Sequence, residues 1–265
     1  MIQKKLQAPV EVIQSRCTRD NFCSAVVNKK SLDFLGFHIL SDFLPTKKIS
    51  ALLCRLSREE GVKPIPHHPT RMACDDSWLE ILLDLNEYKN LLSSGIFFDG
   101  NVAANLPCIF RKDQKHNNKV HLHNDLDYAM GGHERYSLFL ALTKINIENG
   151  GLRIFPATHH FGSLGDCGEI NPDVLPAKYP VVEPRLAPGD LLIMNSGTWH
   201  MSDESKVNKA RVYLELHITH SMDASARYPL FGSPTSDFKN HSTSENIFLS
   251  SREQKLKYFY KSQRQ

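Results

Sequence analysis

The chain has 265 residues, 41% of them hydrophobic, with a formal charge of +3, which is enough to bury one substantial core and suits a single domain of the size of an all-β barrel with helical additions. The charge is small for the length and Lys and Arg are spread along the chain, so no basic block proposes nucleic acid or an anionic membrane, and a small-molecule substrate is the expected partner. Six cysteines (Cys17, Cys23, Cys54, Cys74, Cys108, Cys167) stand at irregular spacings with no C-x-x-C pair, which fits neither a zinc framework nor a disulfide scaffold and leads us to expect reduced, buried thiols.

In chain order, MIQKKLQAPVEVIQSRC lacks an apolar core of signal-peptide length, and no later stretch is apolar for long enough to cross a bilayer, so the cytoplasm is the expected compartment. The closing SQRQ is not the S-K-L peroxisomal address. Residues 1 to about 30 have no clear period. LDFLGFHILSDFLP then reads as a strand after a short helix. From Thr46 to Glu60 the apolar positions Ile49, Leu52, Leu53 and Leu56 keep helical spacing, with Pro45 and Thr46 as start signals and Gly61 as a stop. A second helix is expected from Ser77 to about Leu92, after which Gly95, Gly100 and Pro107 break the pattern.

Between about Pro107 and Thr219 the chain reads as successive short strands: LPCIFR, KVHLH, RYSLFLALTKINI, GLRIFP, YPVVEPRL, GDLLIMN and ARVYLELHIT. Such a series suggests a sandwich or barrel. In ARVYLELHIT, Val212, Leu214, Leu216 and Ile218 fall on one face, and Arg211, Tyr213, Glu215, His217 and Thr219 on the other. The polar face either meets solvent or lines a cavity. His159 to Tyr179 and Ser221 to Ser250 read as long loops, and SREQKLKYFYKSQ as a last helix.

The chemistry begins at KVHLHNDLDY. His123 and Asp125 are two apart on an extended segment, so both project to one side and can reach one metal, which is the local sign of a 2-His-1-carboxylate iron triad. Alone it is weak, because a chain of this composition holds roughly one such tripeptide by chance, and a surface polar cluster explains it as well. Downstream, PGDLLIMNSGTWHMSDESKVNKARVYLELH supplies His200 after a strand and Arg211 eleven residues later. An arginine fork there can hold the far carboxylate of 2-oxoglutarate in a bidentate pair, and the Ser202 hydroxyl can join it. His121, His133, His159, His160, His217, His220 and the carboxylate Asp127 are competing ligands with weaker spacing.

With these parts in order the sequence resembles the phytanoyl-CoA dioxygenase-like branch of the Fe(II)/2-oxoglutarate oxygenases, from about Leu32 to His220. The motifs that carry the resemblance are LDFLGFHILSDFLP, HND, LFLALTKINIENGGLRIFPATHHFG with its Asn149-Gly150 turn, PGDLLIMNSGTWH, and Arg211. The resemblance implies a mainly β fold with flanking helices, a double-stranded β-helix or jelly-roll, cupin-like barrel. It also implies iron ligands His123, Asp125 and His200, with Arg211 and Ser202 on 2-oxoglutarate. One departure stands out: Pro156-Ala157-Thr158-His159 replaces the family's usual proline-glycine-serine-histidine. The expected layout is one domain, with a helical and strand region over about 30–105, the barrel core over 106–220, and a loop and C-terminal helix over 221–265.

The implied activity is oxidation of a small-molecule C–H bond, by hydroxylation or otherwise, with Fe(II) as cofactor, 2-oxoglutarate and dioxygen as cosubstrates, and succinate and CO2 released. Halogenases replace the carboxylate with a small residue, so Asp125 favours hydroxylation. Nucleic-acid demethylases resemble a pattern with a second arginine where this chain has His217, and prolyl hydroxylases use lysine where it has Arg211. The alternative is a cupin-like metal-binding or isomerase module without oxygenase activity. Tyr128, Arg135, Arg153 and the loop after Ser221 are candidate substrate walls.

Overall fold

The computed structural model describes residues 8–65, 68–105, 107–126, 134–162, 170–221, 223 and 228–229. The expected C-terminal helix, most of the 221–250 loop, Cys167, Asp127, Tyr128 and His133 lie outside the described residues. In chain order the elements are α1 (Val10–Arg16), α2 (Arg19–Phe22), β1 (Cys23–Ser24), α3 (Lys29–Leu35), β2 (Phe37–Leu40), α4 (Thr46–Ser57), β3 (Val62–Ile65), β4 (His68–Cys74), α5 (Asp76–Asp84) and α6 (Asn86–Ser93). They continue with β5 (Val102–Ala104), β6 (Cys108–Lys112), β7 (Val120–His123), β8 (Arg135–Ala141), β9 (Leu152–Ile154), β10 (Leu191–Asn195), β11 (His200–Ser202), β12 (Arg211–His220) and β13 (Tyr228–Pro229).

The strands make two sheets. The major sheet runs β1-β2-β10-β8-β12-β6-β4-β3, with β5 also on β12 and β13 on β5, and the minor sheet runs β7-β11-β9. Strict alternation divides the major sheet into two apolar surfaces. Leu138, Leu140, Leu191, Ile193, Leu214, Leu216 and Ile218 point outward into a core shared with Ile49, Leu52 and Leu56 of α4, Trp78 and Leu82 of α5, and Tyr88, Leu91 and Leu92 of α6. Phe37, Ile39, Phe139, Ala141, Leu192, Met194 and Tyr213 point inward, where they meet Leu152 and Ile154 of the minor sheet. The result is a two-sheet barrel with helices on its outer wall. The polar face of β12 is therefore interior: Arg211, Tyr213, Glu215 and Thr219 are all buried.

Several sequence expectations change. The helix expected from Ser77 to Leu92 is two helices, because Leu85 is extended (φ −74°, ψ 123°) and lets α5 and α6 each turn an apolar face inward. YPVVEPRL forms no strand. Pro180 and Pro184 lack the amide hydrogens a ladder needs, and the segment contributes only isolated bridges at Val182 and Leu186. KINI likewise supplies a single bridge, at Ile145. The β3–β4 hairpin was not anticipated, and the barrel also draws strands from residues before 106, notably β2 beside β10. Among the described cysteines all are free, but they are not uniformly buried: Cys54 is exposed on α4 and only Cys74 is fully buried. No helix among the described residues is long and apolar enough to cross a membrane.

One glycine ties the helical entry to the barrel. Gly36 ends α3 at φ 83°, and its carbonyl accepts from Asn195 N at 2.8 Å and from Thr198 Oγ1 at 2.9 Å, fixing the loop that leads to His200. A Cβ at this position would lie 2.3 Å from Thr198 Oγ1 and 2.5 Å from His159 Nδ1. Gly36→Ala therefore combines left-handed backbone strain with a steric clash, and is expected to cost about 2–4 kcal/mol. A denaturant melt of the two proteins measures it, and an unchanged midpoint would refute the assignment.

Candidate metal centre and its basic pole

The minor sheet builds the site. His200 on β11 stands opposite His123 on β7 in antiparallel register, and opposite Ile154 of β9 on its other side. Just past the end of β7 the chain turns, and the amides of Asp125 and Leu126 both donate to Ser196 O, at 2.8 and 3.0 Å. That fork brings the Asp125 side chain back over the two histidines. His123 Nε2 lies 3.5 Å from Asp125 Oδ1, and His200 Nε2 lies 3.8 Å from Asp125 Oδ2. The two imidazole centroids are 4.3 Å apart.

The orientation of each ring is fixed from behind. His123 Nδ1 lies 2.7 Å from His121 O and His200 Nδ1 lies 3.0 Å from Thr198 O. A carbonyl can only accept, so Nδ1 carries a hydrogen in both rings and Nε2 is the atom each ring turns toward Asp125, the position from which it would hold a metal. Burial, with His123 alongside, pushes His200 down to about 4, so it is neutral near pH 7. Burial pushes the Asp125 carboxyl up, but the imidazoles of His200, His123 and His217 more than reverse this and hold it well below the usual carboxylate range. Ser137 Oγ donates to Asp125 Oδ2 at 3.0 Å. Two imidazoles and one carboxylate, with ligand atoms within 4.8 Å of one another, form a donor set that fits a divalent first-row ion.

A second cluster of Asp125, Glu215 and His217 also gathers possible ligand atoms. Its donors are already engaged. Glu215 pairs with Arg71 and with His217 Nε2 at 3.1 Å, while His217 Nδ1 lies 3.1 Å from Ser137 Oγ. Burial pushes Glu215 up, but Arg71 and His217 bring it down to about 2, so it stays ionised and matched. The chain Arg71–Glu215–His217–Ser137 ends on Asp125 and orients it.

The other competing histidines are placed elsewhere. His159 and His160 stack at 3.9 Å and bond to the carbonyls of Asp33 and Phe34, and His220 packs edge-on to Phe98. His121 contributes its backbone carbonyl to His123 and belongs to neither ligand cluster. Arg153 is committed to ion pairs with Glu183 and Asp203. Thr158, in the segment that departs from the family pattern, accepts from Trp199 N at 2.8 Å and donates to Phe155 O at 2.7 Å, bracing the residue before His200. Ala157, where the family commonly has glycine, takes φ 63°.

Below the triad is a basic pole. Arg211 is buried at 1% exposure, its Nη1 donates to Gly150 O, and its Nε has no hydrogen-bond partner. Its guanidinium lies over Tyr213 and Phe110, at 5.0 and 5.7 Å from the ring centroids. Gly150, at φ 77° in the Asn149-Gly150 turn, leaves no room for a Cβ, which would lie 2.8 Å from both Lys112 Cδ and Asp203 O. Opposite Arg211 in the β6–β12 register is Lys112, whose Nζ donates to Asp203 O at 2.6 Å and to Ser202 Oγ at 3.2 Å. Burial, then the charge of Arg211, pushes Lys112 down to about 7. Lys112 thus reaches Ser202 and stands opposite Arg211, and among the described residues no carboxylate side chain is bonded to any of the three. Sequence reasoning missed Lys112, although its alternation with Cys108 and Phe110 on β6 marks it as inward-facing.

The comparisons agree with this architecture. The sequence profile described as phytanoyl-CoA dioxygenase (PhyH) matches residues 67–212, more than half of the chain and a span that includes His123, Asp125, His200, Ser202 and Arg211. No curated protein matches the sequence. Among solved structures, EvdO2 from Micromonospora carbonacea var. aurantiaca complexed with 2-oxoglutarate has a TM-score of 0.61 at 16% identity, over 77% of this chain and 93% of that one. The epimerase SnoN from nogalamycin biosynthesis, non-haem and α-ketoglutarate-dependent, has a TM-score of 0.58 at 14% identity, over 89% and 91%. The carbocyclase SnoK from the same biosynthesis has 0.58 at 16%, over 78% and 95%. At such identities the likeness is one of fold. The profile match settles the family: the chain belongs to the phytanoyl-CoA dioxygenase (PhyH) family of Fe(II)/2-oxoglutarate-dependent oxygenases.

Proposed function

We propose that His123, Asp125 and His200 hold Fe(II), that Arg211, Lys112 and Ser202 bind the distal carboxylate of 2-oxoglutarate, and that the protein hydroxylates a C–H bond of a small molecule. The observation that carries the reading is the convergence of two Nε2 atoms and one carboxylate, together with a buried Arg211–Lys112 pair to which no carboxylate side chain among the described residues is bonded. The iron with 2-oxoglutarate and dioxygen supplies the oxidising chemistry, with succinate and CO2 as by-products. The chain supplies position. Carbonyls behind His123 and His200 keep both rings turned toward one point, Ser137 keeps the Asp125 carboxylate in place, and the Arg211 fork anchors the cosubstrate at its far end. Phe139 and Tyr213 line the wall near His200 and Arg211 and keep water out.

Hydroxylation is favoured over halogenation because Asp125 fills the third protein ligand position. It is favoured over an isomerase of the cupin type because residues 67–212 match the phytanoyl-CoA dioxygenase profile. Relatives of the fold that epimerise or close rings leave a third outcome, and product mass separates it: hydroxylation adds about sixteen daltons, epimerisation none, and ring closure or desaturation removes about two.

Anaerobic addition of Fe(II) and 2-oxoglutarate should produce a visible charge-transfer absorption, and a screen of amino acids, nucleotides, acyl thioesters and sugar derivatives under air should yield succinate with one product of higher mass. Absence of both the band and the succinate would sink the reading. Asp125→Ala should weaken iron binding by more than about a hundredfold, since even supporting residues of such sites are worth ten- to a hundredfold. Arg211→Ala should instead leave iron bound and raise the 2-oxoglutarate Kd about thirtyfold, the worth of one or two charged hydrogen bonds. Indistinguishable behaviour of the two variants would contradict the roles.

Lys112 gives a pH signature. Its folded pKa is depressed to about 7 by burial and by Arg211, against the weaker pull of Asp203 and Glu204. Bringing a carboxylate beside it favours the ammonium form and raises that pKa. Binding 2-oxoglutarate at pH 8 should therefore take up close to one proton, and affinity should be highest below pH 7 and fall above it. Calorimetry in buffers of different ionisation enthalpy reads the uptake, and Lys112→Met should abolish it; zero uptake by the unmodified protein would refute the assignment.

A further inference from the structure

The interior face of β8, the neighbour of β12, carries a further basic group that the reading above does not use. Arg135 starts β8 opposite Thr219, whereas Ser137, the next residue on the same face, stands opposite His217 and donates to Asp125. Arg135 therefore faces the same compartment as the triad, and electrostatic interactions with Asp125, Glu215, Arg71 and Asp223 place it there independently. Yet its guanidinium makes no hydrogen bond or ion pair with any described residue, and its Nε is shielded from solvent without a partner. Arg71, whose Nη2 is held by Glu215, likewise has a shielded Nε with no partner. An arginine that only balanced Asp125 or Glu215 would be drawn into contact with one of them. Glu215 is already satisfied by Arg71, and Asp125 faces the two imidazoles.

Position separates this arginine from the cosubstrate pole. Arg211 and Thr219 are at opposite ends of β12, about 27 Å apart at roughly 3.4 Å per residue, and the triad contacts the strand levels between them through Ser137 and Phe139. A five-carbon diacid anchored at Arg211 and reaching the triad cannot also reach Arg135. Under the assignments above, the cosubstrate's distal carboxylate is matched by Arg211, the metal by Asp125 and by the other end of the cosubstrate, and Arg71 by Glu215. Arg135 is attracted by Asp125, Glu215 and Asp223 but is bonded to no carboxylate among the described residues, and it lies on the side of the triad away from Arg211.

We infer that Arg135, with the free Nε of Arg71 beside it, binds an anionic group of the substrate, a carboxylate or a phosphate, and so sets which carbon lies against the metal centre. This rests on the triad and cosubstrate assignments above and narrows the substrate class to organic anions. A guanidinium suits either oxyanion because its donors match two oxygens at once.

The test uses the full chain loaded anaerobically with Fe(II) and saturating 2-oxoglutarate, so that the Arg211 pole is filled. Hexanoate, hexyl phosphate and the neutral hexanamide are titrated in, with perturbation of the charge-transfer band and calorimetric heat as readouts. At least one anion should bind about tenfold or more tightly than hexanamide, the worth of a charge-assisted bond, and the tighter of the two identifies carboxylate or phosphate. Arg135→Gln should erase that preference while leaving the affinities for iron and 2-oxoglutarate unchanged, and Arg135→Lys should restore part of it. Equal binding of charged and neutral probes to the unmodified protein, or a preference that survives Arg135→Gln, overturns the inference while leaving the iron site standing. A protein that never develops the band fails at the earlier step and removes this one with it.

Discussion

The pairing of His200 with His123 across β11 and β7 is the constraint on which the site depends. Side chains on neighbouring strands meet only if the register is right, and a slip of one residue would turn one imidazole to the opposite face. Three interactions outside the minor sheet hold that register. Gly36 O receives both Asn195 N and Thr198 Oγ1, Thr158 Oγ1 receives Trp199 N, and Ser196 O receives the amides of Asp125 and Leu126. The candidate metal site is therefore set by hydrogen bonds from the helical entry, the segment after β9 and the loop after β10. The Nδ1 atoms of His123 and His200, bonded to the carbonyls of His121 and Thr198, and the Asp125 carboxylate, bonded to Ser137, complete the placement, the rigid support that a metal site needs.

The interior of the barrel carries polar groups that a core designed for stability alone would omit. Arg211 and Lys112 sit together with no carboxylate side chain among the described residues bonded to either, and burial pushes the pKa of both down. Such an arrangement disfavours folding, because a buried charge without its partner forfeits hydration and gains little in return. The cost is offset by the two apolar layers on either side of the major sheet, the outer one packed under α4, α5 and α6 and the inner one against β9. By contrast, Glu215 is bonded to both Arg71 and His217, and their chain through Ser137 to Asp125 rigidifies the carboxylate. The two polar groups thus differ in kind: the first holds its own carboxylate, Glu215, whereas no carboxylate side chain among the described residues is bonded to the second, Arg211 with Lys112.

The sequence made the parts of the site legible in proportion to how local they are. His123 and Asp125 could be paired because two residues on an extended segment share a side, and the order of the later motifs brought in His200 and Arg211. Lys112 was invisible to motif reading because its role comes from lying across β6 from Arg211, a relation fixed by strand register. Ser137 and Glu215 were hidden for the same reason. In the fold, helical period found α4 but not the break at Leu85, since apolar spacing alone does not report that two short helices at an angle bury Trp78 and Tyr88 better than one long helix. YPVVEPRL misled because its valines favour strand while its prolines forbid a ladder.

Parity along β12 then separates stability from chemistry more sharply than position along the chain. Val212, Leu214, Leu216 and Ile218 all lie in the outer core, and each alternates with an inner residue that touches a functional group: Arg211, Tyr213, Glu215 and His217. Adjacent substitutions should therefore have effects of different kinds, although the residues share one strand and the same burial. Removing methyl groups from an even-numbered position opens a cavity between sheet and helices, with the cost such cavities carry. Changing an odd-numbered one alters the electrostatics around the triad or the cosubstrate pole while leaving the helical wall packed. The alternation that was ambiguous in the sequence, open to solvent or to a cavity, is resolved by closure of the minor sheet over the inner face.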